Sequence, residues 1–522
     1  MHNTVTILDS TLRDGEQGEG LSFTVNDKLK ITRLLDELGV HYIEGGWPGT
    51  NPKASDYFRL VKKEKLKNAK IVAFSSTCRP GRQAKDDENL KNVLQAGTAV
   101  VTIFGKSWDL HVTDALKISL KENLALIADT IRFLKSRKKE VFFDAEHFFD
   151  AYKNNPDYAL QVLLTAQKAG ADLLVLCDTN GGTLPQEIEK IIRTIKTKVT
   201  LPLGIHTHND TESAVANTLV AVQAGAGHVQ GTINGYGERC GNANLCAIIP
   251  SLQLKMNRKI LPAKKLSALT QTAYHISEIA NLPPNNQMAY VGRSAFAHKA
   301  GVHVNAIQKN AATYEHIDPA LVGNKQRVLI SEMSGISNLI YKAKTMNIDL
   351  TKEDPEAKQI LQKIKDLEYY GYHFEEGEAS LELLIKKMLG KYKPLFELIS
   401  FHVTNEKFSS EQMLVEATVK IKIKDREIHT VADGNGPVSA LGRALRKALE
   451  KDYPLVKNFS LSDYRVRVLD SRDGTEAKVR VIIETRSADN SWGTVGVSTD
   501  IIEASWSALV DSIEYGLLKR TE

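Results

Sequence analysis

The segment Gly204-Ile205-His206-Thr207-His208-Asn209-Asp210 closes an apolar run with two imidazoles two residues apart. In an extended strand side chains repeat every second residue, so His206 and His208 leave the same face together. Two neutral imidazoles on one face make half of a divalent-metal site. The alternative is a surface strand carrying two unrelated histidines. Other stretches supply matching chemistry. Asp9-Ser10-Thr11-Leu12-Arg13-Asp14-Gly15-Glu16-Gln17 follows another apolar run. There Asp14 offers a hard oxygen ligand, and Arg13 offers a planar fork of donors for a carboxylate or a developing oxyanion. A helix cap with a surface ion pair is the competing reading.

Three glycines surround polar side chains in Gly235-Tyr236-Gly237-Glu238-Arg239-Cys240-Gly241-Asn242-Ala243-Asn244-Leu245. Tight backbone turns of this kind hold polar groups at a site. The Asn242 carboxamide oxygen can complete a coordination shell, and Glu238 with Arg239 is expected to brace the loops as an ion pair. A plain glycine-rich turn is the alternative. In Phe143-Asp144-Ala145-Glu146-His147, period two aims both Asp144 and Glu146 the same way. In Cys177-Asp178-Thr179-Asn180-Gly181-Gly182, the Thr179 hydroxyl can hold a substrate carboxylate. For Asp144 and Asp178, a solvated loop acid or a capping role is the preferred expectation.

Such residues need a scaffold that gathers strand ends. Short β-branched, apolar runs fall at residues 5–8, 42–44, 71–74, 100–104, 141–143, 173–177, 203–206 and 229–233. Helix-like patterns lie between them, as at 27–38, 122–134 and 211–224. About eight such units in about 260 residues is the arithmetic of a (β/α)8 TIM barrel. A doubly wound open sheet is the competing α/β architecture. Polar residues just after successive strands favour the barrel, whose active sites gather there. Beyond Pro283-Pro284-Asn285-Asn286 the pattern changes to short elements and helices, including 356–367. After residue 396, strands such as 415–423 and 464–469 lead into two helices, read as a duplicated βββα unit. The expected division is a catalytic barrel over 1–280, helical linker subdomains over 281–395 and a C-terminal α+β domain over 396–522.

With 42% hydrophobic and 25% charged residues, the composition is that of an ordinary globular chain. A net charge of +5 over 522 residues, without an arginine-rich helix, argues against nucleic acid as a partner. No apolar run approaches the roughly 20 residues of a spanning helix, so no membrane is expected. The N-terminus carries no leader-like segment, and the four cysteines form no CxxC pair, which points to a cytoplasmic protein.

The motifs Leu12-Arg13-Asp14-Gly15-Glu16-Gln17, Asp178-Thr179-Asn180-Gly181, His206-Thr207-His208-Asn209-Asp210 and Gly237-Glu238-Arg239-Cys240-Gly241-Asn242 together resemble the acyl-CoA condensing enzymes of the isopropylmalate synthase family. The resemblance covers essentially the whole chain. It implies a divalent metal ion (Mg, Mn or Zn) held by Asp14, His206, His208 and Asn242. Arg13 would face the reacting oxygen, and Glu146 and Thr179 would contact the keto acid or the acetyl group. Gln17 and Glu44 join the substrate-binding set. Ala297-His298-Lys299-Ala300-Gly301-Val302-His303 resembles the family's linker motif. That nominates His303, often supplied by the partner subunit, for proton transfer and Tyr314 as a lid contact. Without the resemblance, His303 reads as a surface histidine.

The activity so implied is a Claisen-type condensation of acetyl-CoA, the co-substrate, with an α-keto acid. Pyruvate is the expected keto acid, with 2-oxoisovalerate and 2-oxoglutarate as alternatives. Gly45-Gly46-Trp47-Pro48-Gly49 departs from the usual isopropylmalate synthase form, and a bulky Trp47 either shrinks the pocket or packs on the rim. The C-terminal domain resembles the family's allosteric module, so a homodimer with isoleucine as effector is implied. Gly434, Gly436 and Asp500 are its candidate contacts, because free backbone donors at helix N-termini hold carboxylates. A metal-dependent lyase is disfavoured by the long C-terminal extension. A biotin-dependent carboxyltransferase would want Lys where Cys177 stands. A non-enzymatic amino-acid sensor has no use for Asp14, His206, His208 and Glu146.

Overall fold

The apolar runs form eight parallel strands: β1 (Thr6–Asp9), β2 (Tyr42–Gly46), β3 (Lys70–Ser76), β4 (Val100–Lys106), β5 (Glu140–Glu146), β6 (Leu173–Asp178), β7 (Leu203–Thr207) and β8 (His228–Gly231). Each pairs with the next, and β8 returns to β1 through pairs running from Thr6–His228 to Asp9–Gly231. The sheet is therefore a closed barrel, and the open-sheet alternative falls. These are the features of a computed structural model that describes residues 4–407, 413–470, 474, 476–487 and 490–519.

Local chemistry starts and stops the intervening helices. Thr24 and Asp27 form a capping box before Val25–Leu38, and Gly39, at φ 94°, ends that helix. Prolines open Pro52–Val61, Pro156–Ala169 and Pro185–Lys196, where the missing N–H is not needed. Two expected boundaries move. The helix expected from residue 211 begins at Ala214, whose N–H donates to the Asn209 side chain at 3.2 Å, while the Thr211 N–H is taken by the Gly181 carbonyl. The strand expected through residue 233 stops at Gly231, because Asn234 turns to φ 62°.

Alternation along the strands divides their side chains. Leu8, Val72, Val100, Phe142, Leu173, Val175 and Cys177 plug the barrel interior. Their neighbours, among them Ile7, Ile43, Ala73, Val101, Ile103 and Phe143, join the larger core beneath the helices. Residues one alternation beyond the plug open onto the mouth, which is how the fold presents polar groups at its C-terminal rim.

Contacts divide the chain into two compact units: Met1–Phe296 with Ile317–Lys325, and Ala297–His316 with Gln326–Glu522. The first unit thus runs past the boundary expected at 280 and takes back a segment of the linker. In the second unit, β9 (Ala297–His298) and β10 (Arg327–Val328) pair in parallel. Two antiparallel three-stranded sheets follow, β11 (Glu397–Lys407), β12 (Met413–Ile423) and β13 (Arg426–Asp433), then β14 (Ser460–Val468), β15 (Val479–Arg486) and β16 (Ser491–Ser498). Each is completed by a helix, Pro437–Leu449 and Ile501–Leu518, giving the duplicated βββα unit.

The boundary expected at 395 cuts through a shared core. Leu339, Ile360, Ile364, Leu381 and Ile385 of the linker helices pack with Ile482, Val495 and Val497 of the second sheet. Among the described residues, no helix is long and apolar enough to cross a membrane.

Glu514, 2% exposed in the last helix, accepts the Leu395 N–H at 3.2 Å, and burial raises its carboxyl from the ordinary 4.5 to about 7. The folded chain tolerates the neutral acid below pH 4.5, and the charge penalty grows as pH rises and is complete above pH 7. We predict that Glu514→Gln raises the Tm of the full chain at pH 8, by an amount on the order of 3 kcal/mol in stability, and gives no gain at pH 4.5. Calorimetry at the two pH values checks this, and an equal gain at both would refute it.

Candidate active site

The C-terminal ends of the strands converge on a cavity of about 600 Å³ lined by residues of the first unit. At its floor β7 delivers His206 and His208 from one face, with their Nε2 atoms 3.3 Å apart. Asp14, one turn after β1, places Oδ2 3.2 Å from His206 Nε2. All three side chains are buried, and each offers a ligand atom within 4.8 Å of the others. Asn242 stands opposite His208 in an isolated bridge, and its Oδ1 is buried without a hydrogen-bond partner, while its Nδ2 donates to the Tyr236 carbonyl at 3.2 Å. Two imidazole nitrogens facing each other at this distance repel unless a proton or a cation lies between them. A carboxylate, two imidazoles and an orphaned amide oxygen therefore fit a divalent cation of the N/O class.

Charge around the floor follows from burial and pairing. Arg13 donates through Nε to Glu44 Oε2 at 2.7 Å, its Nη1 lies 3.3 Å from Asp14 Oδ2, and its guanidinium covers the Phe74 ring at 3.8 Å. Burial opposes the charge on Asp14, but Arg13 and the hydrogen bond from His206 hold its carboxyl well below the usual carboxylate range. Burial, then the neighbouring His206, push His208 down to about 3, so its ring is neutral and free to ligate near pH 7. Burial lowers and Asp14 raises His206, with a net upward shift.

Asp144 corrects the expectation of a solvated loop acid. It is 4% exposed inside the barrel, where burial raises its carboxyl to about 7. Glu146, two residues on, also lines the cavity and pairs with Lys106 at 2.5 Å. On β6 the phase differs: Cys177 and Thr179 face the cavity, so Asp178 points away and accepts from the Thr183 hydroxyl at 2.8 Å, buried rather than the solvated loop acid expected. Thr179 lines the cavity and accepts the His147 N–H at 2.9 Å. Gln17 lines the rim and is exposed.

The expected Glu238–Arg239 ion pair is present at 3.8 Å, and a closer set of bonds from Arg239 does the bracing. Arg239 donates to both Asp210 oxygens, at 2.7 and 2.9 Å, and to the Thr179 carbonyl at 2.7 Å, whereas Glu238 lies 3.8 Å away and is exposed. This guanidinium thereby ties the loops after β6, β7 and β8 together. Trp47 lines the cavity, and its ring packs edge-on against Phe74 and Phe104 at 5.8 and 5.7 Å.

His303 and Tyr314 belong to the second unit, with rings stacked at 4.1 Å. They are not among the residues brought together at the cavity. The regulatory expectation also changes. Asp500 itself accepts the Ile502 and Glu503 N–H groups at 2.7 and 3.1 Å, so the donors at that helix start are already taken. Gly436 caps the other helix without a side chain, and a Cβ at Gly434 would meet the Ala440 nitrogen at 2.4 Å.

Several participants escape motif reading. Phe74 and Phe104 end apolar strands and read as core. Gln230, on β8, bonds His206 and Asp144. Lys28 occupies the stripe of buried positions with Ile31, Thr32 and Leu35, and a charge on that stripe is the signal that could have found it. Its Nζ donates to the Leu12 carbonyl at 2.7 Å and pairs with Glu16 at 2.6 Å, fixing the loop that carries Arg13 and Asp14.

Comparisons with known proteins agree on the whole length. Residues 4–276 match the HMGL-like family model, 290–370 the homocitrate synthase post-HMGL domain-like model, and 376–517 the LeuA allosteric (dimerisation) domain. The chain is 55% identical over 519 residues to a Geobacter sulfurreducens protein named (R)-citramalate synthase, covering 99% of this chain and 98% of that one. An Aquifex aeolicus protein of the same name is 54% identical over 524 residues, covering 100% and 99%. Among solved structures, the HMG-CoA lyase of Bacillus subtilis matches with a TM-score of 0.47 and 21% identity, over 54% of this chain and 97% of that one.

The glycine at 237 adopts φ 156°, and a Cβ there would lie 2.1 Å from Asn242 Nδ2. We predict that Gly237→Ala displaces Asn242 and weakens Mn²⁺ binding by about tenfold or more while the far-ultraviolet circular dichroism stays unchanged. Unaltered Mn²⁺ affinity, read by electron paramagnetic resonance of the free ion, would exclude Asn242 from the ligand set.

Proposed function

This chain belongs to the HMGL-like family, in the branch of proteins named (R)-citramalate synthase, and from that premise we propose that it condenses acetyl-CoA with pyruvate to give citramalate and free CoA. End-to-end identity of 54–55% with those relatives is the observation that carries the reading. The aromatic wall of Trp47, Phe74 and Phe104 over the cavity supports a small keto acid rather than 2-oxoisovalerate or 2-oxoglutarate.

A divalent cation held by Asp14, His206, His208 and Asn242 supplies Lewis acidity toward the keto oxygen when bound. Arg13, held by Glu44, donates to the oxygen that becomes an alkoxide, where preorganised donors contribute most. Thr179 orients the keto-acid carboxylate. His303, which the family resemblance has reach the mouth from a second copy of this chain, takes a proton from the acetyl methyl group, and Glu146 at the cavity assists it. The methyl carbon then bonds to the keto carbon, the alkoxide takes up a proton, and water cleaves the thioester to release the CoA thiol. Lys106 pairs with Glu146 and orients it beside the cavity.

The match to the allosteric (dimerisation) domain supports a homodimer with isoleucine as effector. Because Asp500 fills its own helix start, the uncapped start after Gly436 is the better candidate for the effector carboxylate. Four cysteines without disulfide partners support a cytoplasmic setting. Removal of residues beyond 394 would expose the core that the linker helices share with the second sheet, so regulation is better tested by point substitution.

Thiol release from acetyl-CoA tests the substrate directly. We predict a kcat/KM for pyruvate at least about tenfold above those for 2-oxoisovalerate and 2-oxoglutarate, since extra methylene groups change transition-state binding by about 1–3 kcal/mol each. Preference for 2-oxoisovalerate would reassign the chain as a 2-isopropylmalate synthase, and preference for 2-oxoglutarate as a homocitrate synthase. Arg13→Lys should lower kcat by about 10²–10³ with a smaller change in KM. Chelation should abolish thiol release, and Mn²⁺ or Mg²⁺ should restore it.

A further inference from the structure

Beside the candidate metal site, three buried side chains from three strands form a chain. His206 of β7 is 5% exposed, Gln230 of β8 is 1% and Asp144 of β5 is 4%. His206 Nδ1 lies 3.0 Å from Gln230 Oε1, and Gln230 Nε2 donates to Asp144 Oδ1 at 3.1 Å. We propose that Gln230, oriented by Asp144, is a positioning residue that fixes His206 with its proton on Nδ1 and so presents Nε2 to a cation.

A carboxamide has one donor end and one acceptor end. A carboxylate accepts only, so Asp144 takes the Gln230 N–H and leaves the carbonyl facing the imidazole. A ring nitrogen facing a carbonyl must carry the proton. Nδ1 is therefore N–H, and the nitrogen left to give up a proton and ligate is Nε2, the atom next to Asp14 and His208 Nε2. If the carboxamide turned round, its N–H would demand a lone pair on Nδ1, the proton would move to Nε2, and ligation would be blocked. His208 lacks such a device, since its Nδ1 is buried without a partner. The two imidazoles are thus unequal: one is set in advance by a dedicated chain across the barrel, the other is held by packing alone.

This inference rests on the reading that Asp14, His206 and His208 bind a divalent cation. Two variants separate the acceptor from the packing. Gln230→Met keeps the length and loses the acceptor, whereas Gln230→Glu combined with Asp144→Asn keeps an oxygen facing Nδ1–H and an N–H donor at position 144. Titration of the full-length protein with Mn²⁺ at pH 8, above the value of about 7 to which burial raises Asp144, should give a Kd raised by about 10–100-fold for Gln230→Met. The paired exchange Gln230→Glu with Asp144→Asn should stay close to the unsubstituted protein. Long-range ¹H–¹⁵N spectra of the histidine rings in the metal-free proteins at pH 8 should show a single Nδ1–H form of His206 in the unsubstituted and paired-exchange proteins, and a mixture or exchange in Gln230→Met. If Gln230→Met does not fold, Asp144→Asn carries the test: an amide at 144 no longer dictates which end of Gln230 faces the ring, so both tautomers should appear. Equal Mn²⁺ affinity and an unchanged His206 signature in the folded Gln230→Met or Asp144→Asn variant would overturn the inference, as would equal losses in Gln230→Met and the paired exchange. Failure of the unsubstituted protein to bind Mn²⁺ at all would instead overturn the metal-site reading.

Discussion

The arrangement depends on one imbalance of charge in a dry volume. Asp14, Glu44 and Asp144 are buried together near the barrel floor, with Arg13 the guanidinium among them. Buried carboxylates without partners are expensive, and removing one member of a buried pair costs about 3–5 kcal/mol. Arg13 settles two of the three. Its Nε bond to Glu44 joins the loop after β1 to β2, and its approach to Asp14 keeps that ligand ionised. The third, Asp144, gains a single N–H from Gln230 and is left with a carboxyl raised to about 7. Acidity in excess of fixed cations, beside two imidazoles, is the electrostatic condition under which a bound divalent ion stabilises the floor.

Much of this floor could be read before the structure, because closed barrels translate sequence into geometry through a period of two. His206 and His208, Asp144 and Glu146, and the run through Arg13 and Asp14 are local patterns, and the strand period alone sends the first two pairs each to one face. What the period cannot give is phase. Asp178 follows an apolar strand as Asp144 ends one, yet β6 is shifted so that Cys177 and Thr179 face inward and Asp178 outward. The same ambiguity led to Asp144 being assigned to solvent. Its true surroundings depend on β8, which lies 86 residues away in the chain.

Partners chosen across the chain were the other illegible part. Arg239 sits beside Glu238 in sequence but bonds Asp210, because φ 55° at Arg239 turns its side chain back across the loop ends toward β7. Asp500 looked like a site for an external carboxylate and instead supplies that carboxylate itself. The linker helices carry the same lesson. Amphipathic helices in 326–395 announce an apolar face, but what covers it, Ile482, Val495 and Val497, lies about a hundred residues downstream. Local pattern names the face, and tertiary structure names its cover.

A layered interior also explains why the residues that back the site were missed. On β8, His228 and Gln230 share one face at successive levels. His228 packs against Phe142 at 5.3 Å and Tyr42 at 5.8 Å within the plug, where burial drives its ring down to about 3 and keeps it neutral. One level up, the same face meets His206 and Asp144, and an amide there has a donor for one and an acceptor for the other. A leucine at that level would seal the plug as well, but it would strand the Asp144 carboxylate and leave the His206 proton free to choose either nitrogen. The polar layer between apolar plug and open cavity is thus the least expensive place to settle the protonation of a ligand, because it is already excluded from water and already bounded by strands that cannot move independently.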